Sequence, residues 1–335
     1  MMDGRKSMAN QNKNNGVSIL GTIKKLTKAR EFMVFLIVIA VTLIMAFASP
    51  VFLDGANMRA LFMGIAVTSI VACGMTLVII NGGIDLSVGS TVALTGAVTA
   101  YCIKAGVPMF IAIAAGFAVG LLVGLINGLM IARLGINAFI ITLGMMNVAR
   151  GLTLLTVGGL NIANLPESFT VFGQGKLWGL QYPIIVMIIL VIIGDILLRK
   201  SRYFRQNYYI GNNEKAAELS GINVKKTKII NFVISGGLCA LAGILLTSRL
   251  ASATATAGNG LEMRVITAVI LGGASLNGGQ GTILGTFFGA LLMGLIADAL
   301  TLLSVDVNWQ TFILGGVLLL AVVIDNFKNK KSTNA

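Results

Sequence analysis

Asp85 is the residue whose setting most invites a chemical role. It stands in Asn81-Gly82-Gly83-Ile84-Asp85-Leu86-Ser87-Val88-Gly89-Ser90, a glycine-broken stretch between the apolar runs Ala60–Ile80 and Leu86–Ile103. A carboxylate at membrane depth costs about 3 kcal/mol where it faces lipid, so this one must face protein, water or a passing solute. Backbone broken by paired glycines is tolerated there only where protein or a cavity covers it. Three roles suit Asp85: a ligand in a transport path, an element of a gate, or a helix cap. As a cap it would accept the amides exposed where a helix restarts at Leu86 or Ser87. A fourth use, as the proton or sodium site of an ion-coupled secondary carrier, is the alternative from another class of function.

Catalytic chemistry finds little to work with. The chain has no histidine, which removes the commonest general base and metal ligand. Cys73, Cys102 and Cys239 are scattered through apolar runs without ligand spacing, so they read as inert thiols and no metal site is expected. A phosphate-binding Gly-x-x-x-x-Gly-Lys-Ser/Thr loop is absent, and Gly279-Gln280-Gly281 lacks both the preceding strand and the later acid of a dinucleotide turn. Catalytic residues are therefore expected to be none. Asp195 and Arg199 have the i,i+4 spacing of an ion pair at a helix end. Arg150 and Asp298 fall within apolar runs and are candidates either for a mutual pair or for the lining of an outer vestibule.

The elements that must position these residues are membrane helices. Hydrophobic residues make up 56% of the chain and charged ones 11%, with a mean hydropathy of +0.91; a soluble protein is roughly a quarter charged. The expected fold is an all-α integral membrane protein of about ten transmembrane helices with both termini cytoplasmic. The spans read as Phe32–Ser49, Ala60–Ile80, Leu86–Ile103, Val107–Ala132, Ile136–Val157, Pro183–Leu198, Ile229–Ser248, Val265–Leu276, Thr282–Ser304 and Trp309–Phe327, the eighth being short or broken near 265–276. Ala46-Phe47-Ala48 resembles a cleavage site, but the long polar segment before it favours an uncleaved first helix. All four prolines fall outside helix interiors: Pro50 ends the first span, Pro108 and Pro183 open spans, and Pro166 sits in a polar loop.

Organisation follows from charge. Residues 1–31 form a basic tail, 32–327 the transmembrane domain, and 328–335 a short tail. Nineteen of the 25 Lys and Arg residues fall in those tails, at Arg133, or between Arg199 and Lys228. The positive-inside rule puts all of them on the cytoplasmic face. The net charge of +13 thus marks orientation, and no nucleic-acid partner is expected. Two segments lie outside: Gly158–Tyr182, with Glu167, Lys176 and Trp178, and the shorter Arg249–Arg264. Gly116, Gly120, Gly124 and Gly128, like Gly281, Gly285 and Gly289, recur every fourth residue, which lets helix backbones approach closely. Gly82, Gly83, Leu86, Gly89 and Leu94 also recur at an offset of 190 as Gly272, Gly273, Leu276, Gly279 and Leu284.

Between Arg199 and Lys228 lies Gly211-Asn212-Asn213-Glu214-Lys215-Ala216-Ala217-Glu218-Leu219-Ser220-Gly221. It reads as a short capped helix: Asn212 or Asn213 accepts the first amides, Glu214 suits the positive end, and Gly221 supplies a left-handed stop. Two turns do not hold themselves helical in water, so this helix must dock against something.

With these residues in view, the chain from about 32 to 327 resembles the inner-membrane permeases of bacterial ABC importers for monosaccharides, of the ribose permease type. The resemblance is carried by four separated motifs: Gly83–Ser90, Asn137–Gly144, the Ala-Ala-x-x-Ser-Gly-Ile core at 216–222, and Leu271–Leu276 with Gly278–Gly281 following. It implies a multi-pass subunit of the bacterial cytoplasmic membrane that moves a sugar such as ribose, allose, xylose or galactose by alternating access at a permease dimer seam. Implied partners are a second permease subunit, identical or paralogous, a cytoplasmic ABC ATPase that binds the ATP and magnesium, and an extracytoplasmic sugar-binding protein. No cofactor is implied in this chain. Carried over by position, Glu214, Ala216, Ala217, Ser220 and Gly221 contact the ATPase. The breaks at Asn81–Asp85 and Gly135–Phe139 form the inner gate, with Asn81, Gly83, Asp85, Asn137, Phe139 and Asn147 along the path. The chain departs from the family at Met263 and Arg264, where an acidic residue is frequent.

Overall fold

The structure, a computed structural model, describes residues 30–333; most of the expected basic tail 1–31 lies outside them. Among the described residues the chain is almost wholly helical. Helices α1 (Arg30–Ala48), α2 (Gly55–Ile80), α3 (Val88–Lys104), α4 (Met109–Leu134) and α5 (Ala138–Val157) come first. A small cap follows, made of α6 (Glu167–Gln174) and an antiparallel hairpin, β1 (Lys176–Leu177) with β2 (Leu180–Gln181), paired Lys176 to Gln181. The chain continues with α7 (Tyr182–Lys200), α8 (Arg202–Asn212), α9 (Glu214–Leu219), α10 (Val224–Leu250), α11 (Leu261–Leu271), α12 (Ile283–Leu302) and α13 (Val307–Thr333). Seven of these are long and apolar enough to cross a membrane: α1, α2, α4, α5, α7, α10 and α12.

Packing follows from which helices are apolar all round and which carry small residues. The most apolar window of α2 is 89% buried, against 17% for α1, so α2 is the axis of the bundle and α1 its rim. A helix without a polar face belongs in such a core. The second axis, α10, draws α3 and α4 close through Gly236, Ala240 and Gly243, and meets Gly74 of α2 through Ser235. A Cβ added at Gly120 would stand 2.5 Å from the Gly236 carbonyl, so the fourfold glycine spacing on α4 is used for backbone contact. The ladder at Gly285 and Gly289 meets Gly272 and Ala268 of α11 in the same way.

The bundle has two distinguishable ends. At one end Glu31, Arg199 and Asp195 join α1 to α7, and α8 and α9 lie across the helix termini; at the other, α6 and the hairpin cover the bundle. Arg199 bonds Asp195 at 2.6 Å, as its spacing predicts, and Glu31 at 2.9 Å. The second carboxylate oxygen of Asp195 caps α12 by accepting from the Leu284 amide at 3.0 Å. At the α6 end, Ser248 donates to the Phe169 carbonyl and Lys104 to that of Asn164.

Several expectations are revised. The eighth expected span, read as short or broken near 265–276, is the helix α11 at Leu261–Leu271: its 11 residues make about 16 Å of helix against a hydrocarbon layer of about 30 Å, so it does not cross alone. The chain before it, expected to be an outer connection over Arg249–Arg264, instead descends into the bundle until Gly258 meets Gly89 in the first turn of α3. Glu262 and Arg264 belong to α11 itself. Pro166 is the last, extended residue of its loop and the N-cap of α6, a helix not expected there. Neither α6 nor α8 follows from apolar periodicity, because both are short and polar. The last helix continues through Thr333, so residues 328–333 extend α13. All three cysteines are free; Cys73 and Cys239 are buried and Cys102 half-buried.

Candidate functional site

Two broken segments meet near the α8 and α9 end. The first follows α2. Asn81 ends the helix, Gly82 takes φ +86°, the Gly82 amide donates to the Ile79 carbonyl and the Gly83 amide to that of Val78, each at 2.9 Å. The second follows α11. Gly272 ends the helix, Gly273 takes φ +96°, and the amides of Gly273 and Ala274 return to Ile270 and Val269. Both are Schellman stops, in which the left-handed residue is usually glycine. The equivalent glycines are Gly82 and Gly273, an offset of 191. The matching letters in the sequence, at 190, are one residue out of step with the matching geometry.

Each break is held by a buried carboxylate. Asp85, 2% exposed, accepts from the Ser87 amide at 3.0 Å, the Ser87 hydroxyl at 2.6 Å and the Ser235 hydroxyl of α10 at 3.1 Å. Asn127 of α4 donates to the Ser87 hydroxyl at 3.0 Å. Asp85 therefore organises the turn that launches α3, although Ser87 holds the capping position itself. Ser235 lies near the middle of α10, so the break sits inside the bundle rather than at its surface. Gly83 packs on Val78. The second break is held by Asp325 of α13, whose Oδ2 accepts from the Ser275 hydroxyl and the Leu276 amide, both at 3.3 Å. Nothing in the linear pattern marks Asp325, since it lies about 50 residues from what it holds.

Helices α8, α9 and the start of α10 cover these breaks. Asn213 caps α9 by accepting from the Ala216 amide at 2.9 Å. Gly221, at φ +85°, ends it, with Gly221 donating to Glu218 and Ile222 to Ala217 in a third Schellman stop. Ala217 is buried against Ile210, Val224 and Ile222 and so seats the helix from beneath. Glu214, Ala216 and Ser220 face outward with Leu219, which is 85% exposed. Lys228 bonds Glu214 at 2.7 Å. Burial pushes the Tyr208 hydroxyl up to about 12, so it remains a donor at any physiological pH; it donates to the Gly281 carbonyl at 2.8 Å.

A cavity of about 500 Å³ opens between these parts, lined by Asn81, Gly82 and Gly83, by Arg133 to Ala138 of the α4–α5 connection, and by Glu214, Glu218, Lys228 and Asn231. The structure thus gathers four sequence-selected residues around one space: Asn81, Gly83, Asn137 and Glu214. Asn137 caps α5, accepting from the Phe139 amide at 2.8 Å. Phe139 and Asn147 are elsewhere, on the outward face of α5 with Ile140, Leu143 and Val148. The mutual pair of Arg150 and Asp298 does not form. Arg150 donates to the carbonyls of Ala255 and Ala257 in the descending loop, at 2.5 and 2.8 Å, while Asp298 accepts from Asn57 at 2.9 Å. The half-buried guanidinium is satisfied by these two carbonyl oxygens, and the Glu262 carboxylate of α11 is close enough to act on its charge.

Helix breaks inside an apolar bundle, covered by polar helices at one end, are an arrangement that suits a path across a membrane. Residues 57–322 match the family model described as the branched-chain amino acid transport system / permease component, and the chain belongs to that family. It is 43% identical over 297 residues to the ribose import permease protein of Bacillus subtilis (strain 168), covering 88% of this chain and 92% of that one. It is 41% identical to the L-arabinose transport system permease protein of Escherichia coli (strain K12), over 84% of this chain and 86% of that one. To the L-arabinose ABC transporter permease protein of Azospirillum brasilense it is 37% identical, over 93% of this chain and 91% of that one. No solved structure matches.

Proposed function

We propose that this chain is the membrane subunit of an ATP-driven importer that carries a monosaccharide, with ribose the first to test, across the bacterial inner membrane. The observation that carries the reading is the similarity to ribose and arabinose permeases over nearly the whole length. The family description names branched-chain amino acids. Relatives at about 40% identity weigh more than a family-wide label, and buried asparagines at the breaks suit hydroxyl groups better than aliphatic side chains.

The cationic end, with α8 and α9, faces the cytoplasm in this reading. Beside the seven long helices, counting α3, α13, and α11 together with the loop that descends to it, as one crossing each gives ten crossings and both termini inside. A separate ATPase docks on the outward residues Glu214, Ala216 and Ser220, with Leu219 as apolar anchor and Ala217 and Gly221 shaping the helix. A sugar-binding protein delivers from the α6 side, and a second permease subunit packs on the apolar face of α5, so that Phe139 and Asn147 line the seam. ATP and magnesium belong to the ATPase. The ion-coupled carrier finds no support, since both oxygens of Asp85 are engaged by serines.

The test is reconstitution in proteoliposomes with the ATPase and the binding protein. Ribose should accumulate only with ATP on the ATPase side and binding protein on the other. Accumulation driven by a sodium or proton gradient in the permease alone would overturn the assignment.

A further inference from the structure

Helix α8 ends one residue before α9 begins, and three of its residues reach the two breaks. Asn207, fully buried, accepts from Asn81 of the first break at 2.8 Å and from Asn231 of α10 at 2.7 Å. Tyr208 donates to Gly281 of the second break at 2.8 Å. Gly211 lies where the breaks touch each other: the Gly279 amide donates to the Ile80 carbonyl at 2.8 Å, and a Cβ on Gly211 would strike both of those groups. The amide cluster is also incompletely paired. The Asn207 amide nitrogen and the Asn231 carbonyl oxygen are buried without partners. Reversing all three amides leaves the same number of orphans, because one group then donates twice where it had accepted twice.

We propose that α8 is the lever that carries movement of α9 to both breaks at once, with Asn207 and Tyr208 as separate positioning residues for the first and second break and Gly211 as the point where the two are locked together. This rests on the reading of the chain as an ATP-driven permease. Two observations favour a lever over a fixed strut. The single residue between α8 and α9 leaves no slack to absorb motion of the docked helix. The unsatisfied amides mean that the state seen here does not exhaust the cluster's bonding, so a second arrangement has bonds to gain.

The experiment places thiol reporters in the breaks of the complete reconstituted importer, at Ile84→Cys for the first and Asn277→Cys for the second, with Cys102 replaced by Ser. The change in labelling rate on adding ATP is read with Asn207→Leu, Tyr208→Phe and Gly211→Ala. Asn207→Leu should remove the response at residue 84 alone and Tyr208→Phe that at residue 277 alone. Gly211→Ala should remove both. In each variant ribose moved per ATP should fall by about 2- to 30-fold, the range for residues that carry coupling, with the ATPase rate retained. Tyr208→Phe is nearly isosteric and keeps the test independent of folding. Unchanged responses in Tyr208→Phe, or loss of its ATPase rate, would overturn the lever. So would wild type that hydrolyses ATP while both reporters stay silent. Wild type whose reporters respond but which moves no ribose would instead count against the sugar assignment and leave the lever standing.

Discussion

At the scale of single residues, Asp85 illustrates how a membrane carboxylate can serve structure. Its oxygens accept one amide and two hydroxyls, and none of these bonds needs a full negative charge. An amide in its place keeps the carbonyl acceptor for Ser87 and offers its nitrogen to the Ser235 oxygen. Asp85→Asn is therefore expected to unfold within a few degrees of wild type in detergent and to retain most uptake. Asp85→Leu should lose about 1–3 kcal/mol, the cost of leaving buried donors unmade, and most transport with it. Loss of transport in a stable Asp85→Asn protein would show that the charge itself is used. The capping role was legible in the sequence because donor and acceptor lie two residues apart. Ser235 and Asn127 were not, since nothing local in a helix says which distant turn its polar residue will meet. Asp325 and the carbonyl partners of Arg150 were hidden for the same reason.

Among the elements, α9 was legible to its boundaries because its determinants are all local: a capping Asn213, Glu214 at the positive end, and Gly221 at the stop. Its neighbour α8 was not. Its sequence, Arg202–Asn212, is aromatic and polar, and it is held by residues scattered along the chain: Asn81 and Asn231 at Asn207, Gly281 at Tyr208, and Ile80 and Gly279 at Gly211. The left-handed Gly221 sets the exit of α9 and lets Ile222 close over Ala217. A side chain there costs about 1–2 kcal/mol in that conformation. Gly221→Val should accordingly raise amide exchange of the Gly221 and Ile222 positions by about 5- to 30-fold. It should weaken ATPase docking while the spans stay folded. Exchange as slow as in wild type would mean that α9 is held by its seat on Ile210 and Val224, not by its stop. The Glu214–Lys228 pair contributes less: Glu214 is more than half exposed, and such pairs are worth at most about 1 kcal/mol. Glu214→Gln should alter docking and leave stability alone.

On the scale of the whole molecule, the arrangement of half-spans separates this bundle from a simple ring of ten helices. Helix α3 starts within the bundle, and α11 begins where the loop from α10 has already descended to meet Gly89. That loop is pinned by Arg150 through two carbonyls. Apolar run length alone assigns a crossing to each stretch and so cannot distinguish a helix that spans from one that meets a descending strand of chain half-way. Single cysteines decide both the orientation and the crossing pattern. Leu219→Cys on α9 and Trp178→Cys in the hairpin are both highly exposed positions, at opposite ends of the bundle. In intact cells an impermeant thiol reagent should label Trp178→Cys and spare Leu219→Cys, and in inverted vesicles the order should reverse. A cysteine at Ala255, a half-buried position whose carbonyl Arg150 holds, should react slowly from the outer side in wild type and faster once Arg150→Leu releases the loop. Fast labelling at 255 with Arg150 intact would mean that the segment lies at the surface, and α11 would then have to be a separate short helix with no chain above it in the membrane.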